Sequence, residues 1–278
     1  MDRVTKSFLN DFKKSFGFEA IQEQSLLFEH FTNYTLIEPK TEYNFDIESV
    51  NIGTDGTIGI DGFSLSINRQ LVESKEDLQE LLDDNKRSIA EVIFIQTKTS
   101  KKFESKEIHN FGFAVSDFIA EVQSLKWSAI AIEKIELFNY FVSRISELKE
   151  NPSCSLYYVS LGRNEHDQNI KAVSNEIKSK IKSENIFSEV DIQLIDASEL
   201  QTRYKKIGEA IEKSFDFPRR VTLPVIENVK EAYIGVIDTS TIIKLMTNDN
   251  NEILASVFYD NVRDFQGNNK VNAEIAKT

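Results

Sequence analysis

Hydrophobic and polar residues alternate along two stretches of the chain as they do in β-strands, and both stretches carry polar residues where the pattern predicts burial. In residues 58–67 the alternation places Asp61 at the end of an apolar row. Residues 92–95 form a continuous apolar run, as expected of a strand covered on both faces, and Gln96 and Lys98 follow it. Side chains at positions i and i+2 of a strand point to the same side, about 6 to 7 Å apart. The pattern therefore predicts a carboxylate, a carboxamide and an ammonium group on neighbouring strands.

The rest of the chain follows patterns of an α/β protein with helices on both sides of a mixed sheet. Residues 156–161, 168–183, 191–195 and 198–215 read as strand, helix, strand and helix, which predicts a parallel βαβα extension with right-handed crossovers. The other predicted helices cover residues 5–16, 19–34, 75–85, 105–125 and 129–148, and the other predicted strands cover residues 45–52 and 70–72.

A domain boundary is predicted near Pro218, so that residues 1–216 form one domain and residues 217–278 begin a second. Beyond the boundary, strands are predicted over residues 221–226 and 232–237, followed by a helix that ends near Leu245. A last helix begins at Val271 and is cut off at the end of the chain, so we expect this small α+β region to be truncated.

The three polar residues on the two central strands match the needs of phosphodiester hydrolysis. Asp61 can supply a hard oxygen ligand for Mg²⁺, and Gln96 can add a neutral oxygen. Lys98 can orient the nucleophile or balance the developing negative charge. The alternative is a buried Asp61–Lys98 ion pair, although desolvating both charges costs several kcal/mol and an apolar pair would usually serve stability as well. Asp55, in contrast, lies in a Gly-Thr-Asp-Gly sequence with hairpin-turn chemistry and is expected to form a turn.

The net charge of −12 opposes tight binding to nucleic acid, because such binding depends largely on phosphate contacts by Lys and Arg. A local basic patch could still bind it, and one follows the second strand at Lys98, Lys101, Lys102 and Lys106, interrupted by Glu104. An ordinary solvated loop explains the same four lysines equally well.

The number of cysteines, the spacing of the histidines and the hydropathy of the chain exclude several other classes of protein. Cys154 is the only cysteine and cannot form an internal disulfide, and the three scattered histidines do not form a zinc site. No run of about 18 apolar residues exists, and the first residues lack the apolar core of a signal peptide. We therefore expect a cytoplasmic protein that does not enter the membrane.

Several longer strings resemble one family of bacterial proteins. Asp61 followed by Gln96-Thr97-Lys98 resembles the D…(E/Q)xK signature of the PD-(D/E)XK nucleases, with Gln in place of the middle acid. The strings LLFEHFTNY, GIDGFSLSINRQLV, FIQTKTSKKFESKEI and LYYVSLG are similar to the amino-terminal half of the abortive-infection phage-resistance (AIPR) proteins. The stretch FYDNVRDFQGNNKVNAEI resembles the start of the signature domain of that family.

The resemblance implies a restriction-endonuclease-like fold and a Mg²⁺- or Mn²⁺-dependent nuclease of anti-phage defence. DNA is the expected substrate in preference to RNA. Through its Phe-Glu pair, the resemblance nominates Glu29 as an added acid near the metal ion, whereas helical geometry nominates Glu23 equally well. Because Gln96 carries no charge, metal affinity should be weak without substrate.

Two hypotheses from other classes compete with the nuclease. The first is a nuclease-like protein that has lost turnover and senses or binds a phage component, which the acidic charge and the Gln96 substitution favour. The second is an interaction module whose strands after Pro218 mediate formation of a homodimer.

Overall fold

The computed structural model describes residues 1–42, 45–53, 59–84, 88–163, 167–207, 213–224 and 231–247. The chain divides into two compact units, Met1–Ile207 and Gly208–Thr278, so the predicted boundary after residue 216 falls inside the second unit. Within the described ranges, no helix is both long enough and apolar enough to cross a bilayer. The predicted turn at Asp55 and the predicted helix from Val271 lie outside the described residues.

A mixed five-stranded sheet forms the centre of the first unit and confirms the predicted α/β class. The strands are β1 (Gly62–Ile67), β2 (Gln70–Leu71), β3 (Ala90–Lys98), β4 (Ser153–Ser160) and β5 (Glu189–Ile195), in the order β2-β1-β3-β4-β5. Strand β1 runs antiparallel to both β2 and β3. Strands β3, β4 and β5 are parallel, which confirms the predicted parallel extension of the sheet.

Among the residues of the first unit that the structure describes, seven α-helices cover the two faces of the sheet. They are α1 (Arg3–Ser15), α2 (Gln24–Ile37), α3 (Lys75–Asp84), α4 (Ser105–Phe118), α5 (Ala129–Ser143), α6 (Gln168–Ser183) and α7 (Ala197–Lys206). Buried side chains of α3, α4, α5 and α6 join one hydrophobic cluster, and those of α1, α2 and α7 join another. The sheet is therefore the middle layer of three.

Strand β3 divides its apolar run between these two clusters. Val92 and Phe94 belong to the cluster beneath α4, whereas Ile93 and Ile95 belong to the cluster beneath α2. This division is the period-two alternation of a strand whose two faces are both covered. The continuous apolar run predicted a strand of this kind correctly.

Residues 45–52 are not the predicted strand. They form a 3₁₀ turn at Ile47–Val50, and a single antiparallel bridge then joins Asn51 to Gly62. The Asp46 side chain accepts a hydrogen bond from the Glu48 N–H at 3.0 Å, which favours the turn over an extended strand. The cap that Asp46 provides thus favours a turn where the hydrophobic and polar pattern predicted a strand.

Helices α2, α4, α5 and α7 are shorter than their apolar patterns predict, and local hydrogen bonds explain the first two. Helix α2 begins at Gln24, five residues after the predicted start, because the Phe18–Ile21 segment forms a separate turn. Helix α4 ends at Phe118, where the Asp117 carboxylate accepts hydrogen bonds from the backbone N–H groups of Ser124 and Leu125. Asp117 therefore fixes a loop across the region that was predicted to be the last turns of α4.

The second unit contains a two-stranded antiparallel sheet and one helix among its described residues. These are β6 (Arg220–Thr222), β7 (Tyr233–Gly235) and α8 (Thr239–Met246). All three elements were predicted, although each strand is shorter than its pattern indicated. Every residue of β6 and β7 is exposed.

Candidate functional site

The candidate site lies at the carboxyl end of β3, beside the amino end of β1. These ends meet because the two strands are antiparallel, with Gly62 opposite Ile95. Asp61, immediately before β1, donates its backbone N–H to the Ile95 carbonyl at 2.8 Å. The ladder therefore brings Asp61 next to the last residues of β3, and we call this place the β1–β3 corner.

Among the described residues, the Asp61 carboxylate accepts three hydrogen bonds at the β1–β3 corner, all on Oδ2. Its donors are the Thr97 N–H at 2.6 Å, the Thr97 hydroxyl at 2.7 Å and Gln96 Nε2 at 2.6 Å. The side chain is only 8% exposed, and burial raises the pKa of Asp61 despite these bonds and the nearby charge of Lys98. Two of the three predicted residues are thus in direct contact.

Gln96 holds Asp61 in place through the donor side of its carboxamide. Its Nε2 donates both to Asp61 and to the Thr97 carbonyl, at 3.1 Å in the second case. The residue is 3% exposed. In this arrangement Gln96 fixes the orientation of the carboxylate.

Lys98 lies at the edge of the corner and remains about one-third exposed. Its Nζ lies 3.4 Å from Oε2 of Glu107, in the first turn of α4. Among the described residues, Lys98 pairs within 4.0 Å with Glu107 and not with Asp61. The structure therefore does not contain the direct Asp61–Lys98 ion pair that was the alternative prediction. The Lys98 charge still opposes the rise in the pKa of Asp61.

Glu29 of α2 brings a second carboxylate to the corner. A Cβ atom on Gly53 would lie 3.0 Å from Glu29 Oε2 and 3.1 Å from Asp61 Oδ1, so the two oxygens face the same small space and lie no more than about 6 Å apart. Burial raises the pKa of half-buried Glu29 to about 8, and the charges of Asp61 and Glu23 add to this rise. Glu23 is exposed and precedes α2. The structure thus brings Glu29 to Asp61 and leaves Glu23 at the surface.

Two buried polar atoms near the corner have no hydrogen-bond partner among the described residues. They are Oδ1 of Asn33, one helical turn beyond Glu29, and the hydroxyl of Tyr158 on β4. The Asn33 amide also lies 3.5 Å from the Asp61 carbonyl oxygen. Sequence reasoning missed both residues, although the i and i+4 spacing of Glu29 and Asn33 could have indicated that they share a helix face.

The basic loop after β3 is held against the ends of the parallel strands. The Ser160 hydroxyl lies 3.1 Å from the Ser100 carbonyl and 3.3 Å from the Lys102 carbonyl, and it can donate to either. A Cβ atom on Gly162 would lie 2.2 Å from the Lys101 carbonyl, so only glycine permits this contact. The predicted nucleic-acid-binding residues Lys101, Lys102 and Lys106 are exposed, the last in the first turn of α4.

The donor set of the corner fits a divalent cation that takes part of its coordination from elsewhere. No group of three His, Cys, Asp or Glu side chains suited to holding a metal ion occurs in the part of the chain that the structure describes. Asp61 Oδ1 and Glu29 Oε2 nevertheless share the space beside Gly53. Mg²⁺ is usually held by one or two carboxylates together with water and substrate phosphate oxygens. Two acids are therefore enough for a site of this kind.

Comparisons with known proteins found no match to this chain. No family model matches the chain, and neither the curated proteins nor the solved structures give a significant match.

Proposed function

We propose that the chain is a Mg²⁺- or Mn²⁺-dependent nuclease that hydrolyses phosphodiester bonds, in DNA in preference to RNA. Asp61 and Glu29 would hold the cation, Gln96 would orient Asp61, and Lys98 would stand beside the reacting phosphate. The observation that carries the proposal is the pair of carboxylate oxygens that share the space beside Gly53. A bound cation would supply Lewis acidity and a water of lowered pKa.

The arrangement of hydrogen bonds explains how the protein would orient this carboxylate pair for binding a cation. Thr97 and Gln96 bind Oδ2 of Asp61, which leaves Oδ1 on the side of Gly53 and Glu29. The raised pKa values of Asp61 and Glu29 mean that the pair stores unfavourable electrostatic energy when ionised. A cation would relieve this repulsion, and such cost at a partly buried site is typical of functional residues.

The fold supports a restriction-endonuclease-like core as part of the same proposal. Asp61 precedes β1, Gln96 and Lys98 lie on the adjacent antiparallel strand β3, and a parallel strand follows on the far side of β3. The resemblance of the sequence to the AIPR proteins suggests the same core. On that basis we propose a role in bacterial anti-phage defence, in the cytoplasm.

The substrate would approach across the basic loop. Lys101 also lines an open cavity of about 500 Å³ beyond the carboxyl ends of β4 and β5, together with Arg163 and two acids, Asp2 and Asp196. The opposite charges around this cavity offset each other, so the exposed lysines of the loop are the better candidates for phosphate contacts.

A nuclease-like binding module without turnover is the second candidate function. Two carboxylates and a neutral Gln96 make a weaker cation site than three acids would, and the net charge of −12 disfavours nucleic acid. In this alternative the same corner would bind or sense a phage component.

A third candidate function is a homodimer formed through the exposed strands β6 and β7. It would bury the apolar side chains of Val221 and Ile234, which are 67% and 62% exposed.

A cleavage assay with matched variants separates these candidates. The wild type, Asp61→Ala and Lys98→Ala are incubated with single-stranded and duplex DNA and RNA in Mg²⁺ or Mn²⁺. Asp191→Ala and Lys178→Ala are the controls, because this pair lies 3.9 Å apart on the surface, on β5 and α6. The nuclease proposal requires cleavage by the wild type and by both controls, and its loss in both site variants. If all five proteins leave every substrate intact, the binding module is the better account.

A further inference from the structure

Tyr158 occupies a central place beneath the candidate site. It lies on β4 directly opposite Gln96 of β3, and the two residues point to the same face of the sheet. Its side chain is completely buried. The centroids of the Phe103 and Phe111 rings lie 5.9 and 6.2 Å from that of the tyrosine ring, and the hydroxyl itself is buried.

The Tyr158 hydroxyl is a stability cost that phenylalanine would avoid. It has no hydrogen-bond partner among the described residues. A buried polar group without a partner lowers stability, and phenylalanine would fill the same space without that cost. Unpartnered buried groups are rare in folded proteins, and a catalytic role or a bound water explains many of those that exist.

Burial and the charges around Tyr158 determine whether its hydroxyl is protonated. Burial raises its pKa well above the ordinary value, and the nearby charges of Glu107, Glu104 and Asp61 add to the rise. The hydroxyl therefore keeps its proton at any working pH, so that it can donate a hydrogen bond and cannot serve as a base. The geometric link between Tyr158 and the corner is its register on β4, opposite Gln96, which binds Asp61.

We propose that Tyr158 is a positioning residue of the candidate site, whose hydroxyl donates a hydrogen bond to a water molecule held at the β1–β3 corner when cation and phosphodiester are bound. This inference rests on the proposed nuclease function. The donated bond orients the water and supplies the partner that the hydroxyl otherwise lacks. The residue acts through this water and does not touch the substrate.

The test compares Tyr158→Phe with Tyr157→Phe. Tyr157 is the preceding residue of β4, points to the opposite face and packs in the other hydrophobic cluster, so it controls for the loss of a hydroxyl from this strand. Urea unfolding, kcat and KM for DNA cleavage, and Mn²⁺ affinity are measured for both variants and the wild type. Tyr158→Phe should keep or increase its resistance to urea, lower kcat about tenfold with little change in KM, and weaken Mn²⁺ binding. Tyr157→Phe should retain the wild-type kcat.

Three outcomes would overturn the inference. If Tyr158→Phe matches the wild type in kcat and Mn²⁺ affinity, Tyr158 is a structural residue and the nuclease proposal stands without it. If both variants lose kcat in proportion to a loss of stability, the effect is one of packing. If the wild type neither cleaves DNA nor binds Mn²⁺, the inference and the proposed function fail together.

Discussion

Two buried aspartates of the first unit, Asp61 and Asp117, show how a structural carboxylate differs from a functional candidate. They are 8% and 7% exposed, and each accepts three hydrogen bonds from residues that the structure describes. Asp117 uses both of its oxygens, one for the Ser124 N–H and the other for the Leu125 N–H and the Trp127 indole N–H. These bonds join the end of α4 to the loop that follows, which is sufficient to explain a buried acid.

Asp61 receives all three of the bonds that the described residues donate to it on one oxygen. Its other oxygen faces Gly53 and the second acid, Glu29. The number of hydrogen bonds is therefore the same at the two aspartates, and what differs is the direction of the remaining acceptor. An acceptor that faces another carboxylate is unfavourable for the folded protein and favourable for binding a cation.

Asp61→Asn and Asp117→Asn should have opposite effects. Asp61→Asn removes a desolvated charge and a cation ligand, so we expect at least about a 100-fold loss of cleavage with unchanged or higher stability. Asp117→Asn places an amide N–H against N–H donors and should cost about 1–3 kcal/mol of stability, with cleavage per folded molecule unchanged. Urea unfolding and cleavage assays on both variants check this. A loss of stability in Asp61→Asn would make Asp61 a structural acid like Asp117.

The pH dependence of cleavage and stability should follow the ionisation of Glu29. Its pKa rises from 4.5 to about 8, so its contribution to stability is fully present below about pH 4.5 and is lost as the pH rises through about 8. Cation binding needs the ionised form, so cleavage should increase up to tenfold per pH unit below 8. Glu29→Gln should remove this dependence and make the protein more stable at pH 9, because it removes the desolvated charge. Cleavage and urea unfolding between pH 5 and 9 test it, and an unchanged profile in Glu29→Gln would exclude Glu29.

Gly53→Ala should close the space that the two carboxylates share. The added methyl would lie 3.0 to 3.1 Å from their oxygens and from the Asp61 Cα, so we expect about a tenfold loss of Mn²⁺ affinity with a small change in stability. Gly112→Ala is the contrast, because its methyl would meet the Ile177 side chain at 2.3 Å and should cost about 1–3 kcal/mol without altering Mn²⁺ affinity. Mn²⁺ titration and urea unfolding distinguish the two, and equal Mn²⁺ affinities would contradict the assignment of this space.

Glu107→Gln should have the smallest effect, because it breaks only the partly exposed pair with Lys98. Such a pair contributes about 0.2–1 kcal/mol, so freeing Lys98 for phosphate should tighten DNA binding about two- to fivefold. Glu199→Gln, which breaks the surface pair with Arg203, is the control and should leave DNA binding unchanged. Binding is measured by fluorescence anisotropy at two salt concentrations. Equal affinities in the two variants would mean that Glu107 does not restrain Lys98.

The part of the site that lies on the strands could be predicted from the sequence. Gln96 and Lys98 share a face of β3 because strand alternation is a local property with a fixed period of two, whereas Asp61, predicted on the first strand, lies one residue before it. The antiparallel pairing of β1 with β3 then brings Asp61 into contact with Gln96. The parallel extension through β4 and β5 was likewise predicted correctly from apolar runs separated by helical patterns.

The contribution of α2 could not be decided from the sequence. Glu23 and Glu29 were equally good candidates because the direction of a helical side chain depends on where the helix begins and how it crosses the sheet. The structure starts α2 at Gln24, after Glu23, and turns Glu29 towards Gly53. The roles of Gly53 and Tyr158 depend on contacts between elements distant in sequence, which local patterns do not encode.

Mn²⁺ binding to the β1–β3 corner tests the central claim most directly. The wild type, Asp61→Asn and Asp117→Asn are titrated with Mn²⁺ in the presence of a cleavage-resistant phosphorothioate oligonucleotide, and bound metal is measured by electron paramagnetic resonance. The account predicts that the wild type and Asp117→Asn bind Mn²⁺ with equal affinity and that Asp61→Asn loses this binding. Binding of Mn²⁺ by Asp61→Asn at the wild-type affinity, or by none of the three proteins, would contradict it.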